Sequence, residues 1–367
     1  MRFRELLASR IVWAALLGIL PAATAVGAPP KFAEVVPGKA LNFPGDFGAH
    51  PDFRTEWWYV TGWLQGHEGE PFGFQVTFFR SATETDTANP SRFAPAQLII
   101  AHAALSNPAQ QKLLSGEKSA REGFGLAYAK EGNTNVKLDD WTIERHPDGH
   151  YVTAVKTDEY ELKLILKPRQ APVLQGEQGY SRKGPRPNQA SYYYSEPQLQ
   201  ASGTLMRQGK SSDVQGTAWL DHEWSSTALA SEATGWDWVG ANLNDGGALT
   251  VFQIRRPSGP PLWRYAMVRD AAGHIVQYSQ DDIQFTPMRT WQSPRTDTTY
   301  PVAMHIRTGN DEWSLSPLMN DQELDSRRSS GVVYWEGAVE VSRNGIPAGR
   351  GYLELTGYHK RLKLQAD

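Results

Sequence analysis

The chain has 367 residues, of which 40% are hydrophobic and 21% are charged, and its formal net charge is -3. This length exceeds the usual size of a single hydrophobic core, so two domains are expected. The near-neutral charge offers no basic patch for nucleic acid. The chain has no cysteine, which excludes disulfides, thiolate metal ligands and cysteine nucleophiles.

The N-terminus has the pattern of a secretory signal. Arg2, Arg4 and Arg10 precede the apolar run IVWAALLGIL, and the small residues of PAATAVGAPP follow. The run would span only about half of a bilayer core, so it predicts a cleaved signal peptide over residues 1–28 and not a transmembrane helix. We therefore expect export, to the periplasm or outside the cell, and no membrane-spanning segment in the mature chain.

Most segments after residue 50 alternate between apolar and polar residues, as in WWYVTGWL, FGFQVTFFR, YELKLILK and ALTVFQIRR, with turns such as HPDG, NDGG and SRNG between them. This pattern predicts an all-β fold of antiparallel barrels or sandwiches. Helices are expected only near residues 108–123 and 279–284. Residues 171–190, rich in Gly, Pro and Gln, are predicted to form a long functional loop.

A hairpin of the first half recurs in the second half. WWYVTGWL…FGFQVTFFR matches WDWVGANL…ALTVFQIR, with Tyr59 and Val60 aligned with Trp238 and Val239. The repeat predicts an N-terminal β domain and a C-terminal one, over residues 35–228 and 229–367. The alternative is that any two tryptophan-rich hairpins look alike.

A second pair of hairpins follows, and we align it with Gly216 against Gly351. This alignment leaves Asp221 and His222 without polar counterparts, since Thr356 and Gly357 stand at their positions. The polar pair would then be an addition to one copy of the repeat.

The stretch HPDFRTEWWYVTG contains the first candidate site residues. In a strand, Glu56 and Trp58 would share one face and Tyr59 would point to the other. A carboxyl group beside an indole would be desolvated, which would raise the pKa of Glu56 and suit it to donate a proton. The alternative is that Glu56 faces solvent or pairs with Arg54 or Arg80.

The stretch WLDHEWSS contains the second set. Strand alternation puts His222 and Trp224 on one side and Asp221 and Glu223 on the other. If His222 faces a cavity, its near-neutral pKa makes it the strongest acid or base candidate, whereas otherwise it is a hydrogen-bonded structural histidine. No HxH or HExxH spacing occurs, so we predict no metal and no other cofactor.

Two further groups are candidates for ligand contact. His102, in LIIAHAAL, would need a hydrogen-bond partner within its apolar strand, and Glu56 or His222 could supply one. Tyr193, in YYYS, would join the tryptophans in an aromatic wall around a large apolar ligand. Aromatic residues are also strong β formers, so the same residues could simply be core.

The motifs DFRTEWWYVTGWL, AHAAL, YYYSEPQLQASGTL, WLDHEWSS and GWDWVGANLNDGGALTVFQIRR together resemble the AttH family of predicted secreted hydrolases. That family is similar to the carotenoid 1,2-hydratases and, more distantly, to kievitone hydratase and lipocalin-like Diels-Alderases. The resemblance implies two lipocalin-like β domains around an apolar ligand site, with acid catalysis of hydration, isomerisation or cyclisation.

The resemblance also implies roles for His222 and Trp224, which match a His-x-Trp pair of the hydratases. A Tyr and an Asp of the hydratases lie on the following hairpin strand, where this chain has Phe252 and Gln253. The missing carboxylate is a departure from the hydratase pattern and counts against carotenoid hydration.

Two functions remain open. The first is an exported enzyme that hydrates, isomerises or hydrolyses an isoprenoid-, lipid- or polyketide-like molecule, with His222, Glu56 and Asp221 as catalytic groups. An aromatic box of Trp58, Trp224 and Trp238 would stabilise a carbocation. The second is a non-catalytic carrier of an apolar ligand in the cell envelope. The predicted ligand contacts are Trp58, Tyr59, His102, Tyr193, Trp224, Trp238 and Gln253.

Overall fold

The computed structural model of the chain describes residues 32–85, 89–91, 93–227 and 229–362. The predicted signal peptide, residues 1–28, lies outside these ranges. None of the helical segments within them has the length and apolar character that a membrane crossing requires.

The first sheet has thirteen antiparallel strands, and its path runs β4-β3-β2-β1-β13-β12-β9-β8-β7-β6-β5, with β10 and β11 paired to β12. It is nearly closed into a barrel, which we call the first barrel. Its strands are β1 (Thr55–Gln65), β2 (Pro71–Ala82), β3 (Gln97–Asn107), β4 (Lys112–Arg121), β5 (Ala127–Ala129), β6 (Asn135–Leu138), β7 (Trp141–Arg145), β8 (Tyr151–Lys156), β9 (Tyr160–Lys167), β10 (Val173–Leu174), β11 (Tyr180–Arg182), β12 (Ala190–Arg207) and β13 (Lys210–Ser225).

The second sheet has ten antiparallel strands in the path β17-β16-β15-β14-β23-β22-β20-β19-β18, with β21 paired to β22. Its strands are β14 (Gly235–Leu243), β15 (Ala248–Arg255), β16 (Trp263–Arg269), β17 (Ile275–Gln277), β18 (Ile283–Gln292), β19 (Thr299–Thr308), β20 (Asp311–Pro317), β21 (Glu323–Ser326), β22 (Val332–Arg343) and β23 (Ile346–Leu355).

The predicted all-β class is confirmed, whereas the helix predictions are not. Residues 112–121, expected to be partly helical, form strand β4, and near 279–284 only the short 3-10 helix Gln280–Asp282 forms before β18 begins. A second 3-10 helix spans Gly45–Phe47. Tertiary pairing overrides the local helix signal because strand propensity depends mainly on neighbouring strands.

The predicted turns connect strands as expected. In SRNG, Asn344 and Gly345 both have positive φ, 51° and 80°, which is the conformation of a two-residue hairpin turn. This turn joins β22 to β23. The predicted loop over residues 171–190 is less irregular than expected, because β10 and β11 anchor parts of it to β12.

Each sheet encloses its own apolar core, and a third apolar cluster lies between the sheets. The alternation of β1 assigns Trp58 and Val60 to the first barrel and Tyr59 to the cluster between the sheets. Hydrogen bonds also cross the contact, such as the one that Trp63 Nε1 donates to the carbonyl oxygen of Gly351 at 3.0 Å. The domain limits at 228 and 229 stay a prediction.

Candidate functional site

Four polar side chains lie together inside the first barrel, and we call His50, Glu56, Arg80 and His222 the inner cluster. It brings together Glu56 of HPDFRTEWWYVTG and His222 of WLDHEWSS. Glu56 and His222 lie on paired strands and are completely buried. Glu56 Oε1 accepts hydrogen bonds from His50 Nδ1 at 2.7 Å and His222 Nε2 at 2.8 Å. Glu56 Oε2 accepts from the His50 backbone N–H at 2.9 Å and Arg80 Nε at 2.7 Å. Both carboxylate oxygens are therefore saturated with donors.

These donors reverse the proton chemistry predicted for Glu56. Burial alone would raise the pKa of Glu56, but hydrogen bonds from His222 and His50 hold it well below the ordinary value. Burial lowers the pKa of His222. The expectation that Glu56 donates a proton is therefore wrong, because its carboxylate is ionised and has no proton to give.

The inner cluster is also the group of potential metal ligands that the described part of the chain contains. His50, Glu56 and His222 place ligand atoms within 4.8 Å of one another. The Arg80 guanidinium lies directly on Glu56, and neutral His222 Nε2–H can already donate to Glu56 while Nδ1 accepts from the Tyr194 hydroxyl at 3.1 Å. This donor set is satisfied by hydrogen bonds and carries a fixed positive charge, so it fits a metal ion poorly.

Aromatic rings cover the two histidines of the inner cluster. Trp224 stacks on His50 with ring centroids 3.7 Å apart, and Trp58 stacks on His222 at 4.6 Å. Both tryptophans are fully buried in the core of the first barrel. This corrects the expected aromatic box, because Trp238 belongs to the cluster between the sheets and lies on the opposite side of the β1–β13 wall.

A cavity of about 360 Å³ lies between the two sheets, and we call it the central cavity. The first barrel contributes residues of β1, β2, β3 and β13, among them Glu56 and Arg80 of the inner cluster, and the second sheet contributes residues of β14, β15, β22 and β23. Its apolar walls include Trp57, Phe79, Trp236, Trp238, Phe252 and Ile254. Its size and lining suit a small, mostly apolar ligand.

Asp221 faces the central cavity, as strand alternation predicted for the side opposite His222. Its carboxylate accepts hydrogen bonds from Tyr193 at 2.8 Å, Ser195 at 2.5 Å and Trp219 Nε1 at 2.7 Å. Burial nevertheless raises the pKa of Asp221 to about 7. Asp221 is therefore a titratable group of the cavity wall at neutral pH.

Lys183 enters the cavity from the segment predicted as a functional loop. Its Nζ lies 3.0 Å from Glu223 Oε1, and it also lies over the rings of Tyr193 at 4.7 Å and Phe252 at 4.2 Å. Burial lowers the pKa of Lys183, while Glu223 opposes that change. The two charges form an ion pair beside Asp221.

The second sheet contributes a pair of carboxyl groups that the sequence reasoning missed. Glu336 and Glu354 are directly opposite each other on β22 and β23, and both line the cavity. Burial raises the pKa of Glu354 to about 7, and burial and the neighbouring Glu354 raise that of Glu336 well above the ordinary value. Glu354 Oε2 accepts from Trp236 Nε1 at 2.8 Å, whereas Glu336 Oε1 makes no hydrogen bond to any described residue.

Some of the remaining residues predicted to contact the ligand line the central cavity, and others do not. Tyr59, His102 and Trp238 line the cavity. His102 does not partner Glu56 or His222 as expected, because its Nδ1 lies 3.0 Å from the Tyr334 hydroxyl and its Nε2 lies 3.0 Å from Ser329 Oγ.

Tyr193 and Gln253 do not line the central cavity. The Tyr193 hydroxyl accepts from Trp238 Nε1 at 3.1 Å and donates to Asp221. Gln253 points away from the cavity, contrary to the prediction, and donates to Asp237 at 2.7 Å. Its strand neighbour Phe252 lines the cavity, since adjacent residues of a strand face opposite sides.

The strand pairing also corrects the alignment of the repeat. Tyr59 pairs with Asp221 across β1 and β13, and its counterpart Trp238 pairs with Glu354 across β14 and β23. Glu354 is thus the counterpart of Asp221, and the polar residue is not an addition to one copy. The Gly216–Gly351 match was two residues out of register, since Gly216 corresponds to Gly349.

Both glycines allow the same close approach of backbones. A Cβ atom on Gly216 would lie 1.9 Å from the carbonyl oxygen of Trp63, and one on Gly349 would lie 2.3 Å from that of Asn242. The strand registers make Trp63 and Asn242 counterparts as well. A search for glycine two residues earlier would have aligned Glu354 with Asp221 from sequence alone.

Comparison with known proteins places the chain among solved structures. The crystal structure of a protein assigned to AttH from Nitrosomonas europaea is 59% identical in sequence, with a TM-score of 0.84, over 89% of this chain and 100% of that chain. Kievitone hydratase from Nectria haematococca is 15% identical, with a TM-score of 0.67, over 90% of this chain and 97% of that chain. CghA is 13% identical, with a TM-score of 0.50, over 84% and 90%. The last two likenesses establish the fold alone.

None of the curated proteins is significantly similar to the chain. The sequence model of the AttH-like family matches residues 34–358, which confirms the resemblance seen in the motifs. The chain belongs to the AttH-like family.

Proposed function

We propose that this protein is an enzyme that transfers protons to and from an apolar substrate in the central cavity and thereby hydrates or isomerises a carbon–carbon double bond. The observation that carries the proposal is Glu354, a carboxyl group in a cavity walled by indole rings, with a pKa raised to about 7. An acid whose pKa lies near the working pH is both protonated often enough and acidic enough to donate.

The walls of the cavity suit the charge that such a reaction develops. Protonation of a double bond produces positive charge on carbon, and the rings of Trp236 and Trp238 lie beside Glu354 in the lining. Indole faces attract a cation, and a carboxylate formed by proton donation adds to that attraction. Asp221, whose pKa burial also raises to about 7, is a second carboxyl group of the lining, but three hydrogen-bond donors hold it in place.

The inner cluster supports this chemistry without taking part in it. His222 is covered by Trp58, and its strand neighbours Asp221 and Glu223 face the cavity. Glu56 and Arg80 also reach the cavity lining, but both oxygens of the Glu56 carboxylate are occupied by donors. The cluster fixes β1 against β13 and so holds the cavity face of both strands in place.

The substrate is an isoprenoid-, lipid- or polyketide-like molecule. The solved relative named as a hydratase shares the fold, which is consistent with hydration. The N-terminal pattern of basic, apolar and small residues supports export of the protein to the periplasm or outside the cell.

The test uses a panel of unsaturated isoprenoids, fatty acids and polyketide-like alkenes incubated with the protein in water labelled with heavy oxygen or deuterium. Hydration adds one labelled oxygen to the product, whereas isomerisation adds deuterium without oxygen. Glu354→Gln should lower either rate by at least about 100-fold, the usual contribution of a general acid. Glu340→Gln, an exposed change on β22, is the matched control. Unchanged turnover by Glu354→Gln would refute the assignment.

A carrier of apolar ligands is the second candidate, because the aromatic lining would hold such a ligand without chemistry. A carrier would be purified with an apolar ligand detectable by mass spectrometry, and it would convert no member of the panel.

A further inference from the structure

We propose that Tyr59 and Glu336 together bind the carbonyl oxygen of an apolar ketone or enone in the central cavity. The inference rests on the proposed function and deepens it, because it names the substrate class. The two side chains come from different sheets, Tyr59 from β1 and Glu336 from β22, and both line the cavity.

Both side chains are buried, and each has a polar atom without a hydrogen-bond partner. Tyr59 is 7% exposed and Glu336 is 4% exposed. The Tyr59 hydroxyl and Glu336 Oε1 make no hydrogen bond of good geometry within the described part of the chain, although the Tyr59 and Glu336 side chains are neighbours and Tyr334 also approaches Glu336. Buried polar atoms without partners are rare and costly, so their presence in a cavity marks the place of a polar ligand group.

The surroundings make Glu336 a proton donor. It is directly opposite Glu354, and no lysine, arginine or histidine of the described residues forms an ion pair with either carboxyl group. Two buried carboxyl groups at this spacing cannot both ionise, so one of them keeps its proton. Glu336 is the more enclosed of the two, since Glu354 is partly exposed to the cavity.

A phenol and a carboxylic acid side by side offer two hydrogen-bond donors to one acceptor. A carbonyl oxygen has two lone pairs and can accept from both, whereas an alcohol also has a proton to place, so one of the two groups must act as acceptor instead of donor. The same combination of tyrosine and protonated carboxylic acid in an apolar site stabilises the oxyanion of an enolate in enzymes that move protons next to a carbonyl group.

This binding would change the course of hydration. Two hydrogen bonds to the oxygen of an enone draw electrons from the conjugated double bond. The oxygen of water then bonds to the β carbon, and Glu354 gives its proton to the α carbon. The surplus proton of the added water returns to the Glu354 carboxylate. The sum is the addition of one water molecule, with no oxidant or reductant and no free carbocation.

The experiment compares β-ionone, a conjugated isoprenoid ketone, with β-ionol, the corresponding alcohol. Binding is followed by tryptophan fluorescence, and the carbonyl stretch of bound β-ionone is followed by infrared spectroscopy. The ketone should bind the unmodified protein at least about tenfold more tightly than the alcohol, with its carbonyl band shifted to lower frequency. Tyr59→Phe and Glu336→Gln should each reduce the preference and the band shift.

Tyr160→Phe is the matched control, since it also removes a buried hydroxyl without a partner, but in the core of the first barrel. It should leave both readouts unchanged. Failure of β-ionone to bind, equal binding of ketone and alcohol, or an unshifted band in the bound ketone would overturn the proposal.

Glu354→Gln separates this proposal from the proposed function. The variant should keep the shifted carbonyl band while losing turnover. A shifted band in a protein that converts no alkene would refute the enzyme and leave the carbonyl site standing. Turnover of other alkenes without a preference for the ketone would support the enzyme and refute the carbonyl site.

Discussion

Each sheet has a carboxyl group at the corresponding position of the corresponding strand pair, but the two groups have different surroundings. In the first barrel, Asp221 is opposite Ser195 and accepts hydrogen bonds from Ser195, Tyr193 and Trp219. In the second sheet, its counterpart Glu354 is opposite another acid, Glu336. The first arrangement satisfies a buried carboxylate, whereas the second leaves two acids to share protons in a cavity.

The inward faces differ in the opposite sense. The strand pairing that makes Glu354 the counterpart of Asp221 makes Leu355 the counterpart of His222 and Gly235 that of Glu56. Glu56 and His222 of the first barrel are therefore fully hydrogen-bonded, whereas the second sheet has no polar side chain at the two positions that correspond to them. A buried polar cluster is therefore not by itself evidence of a reactive site, because reactivity depends on unsatisfied groups and on their access to a ligand.

The largest expected effect is loss of stability on removal of the inner carboxylate. Glu56→Ala should destabilise the protein by about 3–5 kcal/mol, because Arg80 would be left buried without its partner. Urea unfolding followed by tryptophan fluorescence measures the change. A loss below 1 kcal/mol would contradict a structural role for the inner cluster.

The next effect separates the two cavity carboxyl groups. Glu354→Gln should lower turnover at least about 100-fold, whereas Asp221→Asn should lower it less than tenfold, because Asp221 is already held by three donors. Steady-state rates on the same substrate decide between them. Equal losses would show that the two sheets contribute equally to catalysis.

A smaller loss of stability is expected for the second sheet's ion pair, Asp237 with Arg255, whose hairpin corresponds to that of Glu56 and Arg80. Asp237 accepts from Arg255 Nε at 2.9 Å, but Arg255 is 18% exposed while Arg80 is 2% exposed. Asp237→Ala should therefore cost about 2 kcal/mol, less than Glu56→Ala, because water can solvate the freed guanidinium. Urea unfolding midpoints of the two variants test the order, and the reverse order would contradict this account.

The smallest effect is a difference in pH dependence. The pKa of Glu56 is lowered, so its stabilising contribution exists above the ordinary glutamate pKa of about 4.3 and disappears as pH falls below it. The pKa of Glu354 is raised to about 7, so its contribution is complete below about 4.3 and disappears as pH rises through 7.

Thermal unfolding between about pH 3 and about pH 9 measures both effects. Glu354→Gln should remove the loss of stability between about pH 4 and 7, by about 1 kcal/mol, and leave the acid-side loss unchanged. Glu340→Gln should retain both losses. An unchanged profile in Glu354→Gln would mean that Glu354 titrates normally in the folded protein.

The local residue pattern was enough to predict the β class, the turns and the division of each strand into two faces. Alternation correctly put Glu56 with Trp58 and His222 with Trp224, and it put Tyr59 and Asp221 on the opposite faces. These results follow from the two-residue period of a strand, which is a local property of the chain.

The local pattern could not show which face of a strand packs into a core and which faces a cavity. That outcome depends on how the first sheet curls and on the second sheet that packs against it, and neither is a local property. The tertiary structure brought His50 onto Glu56, and it placed Glu336 and Tyr59, from distant parts of the chain, in one cavity. A strand's period separates its faces, but only packing between sheets determines which face meets a ligand.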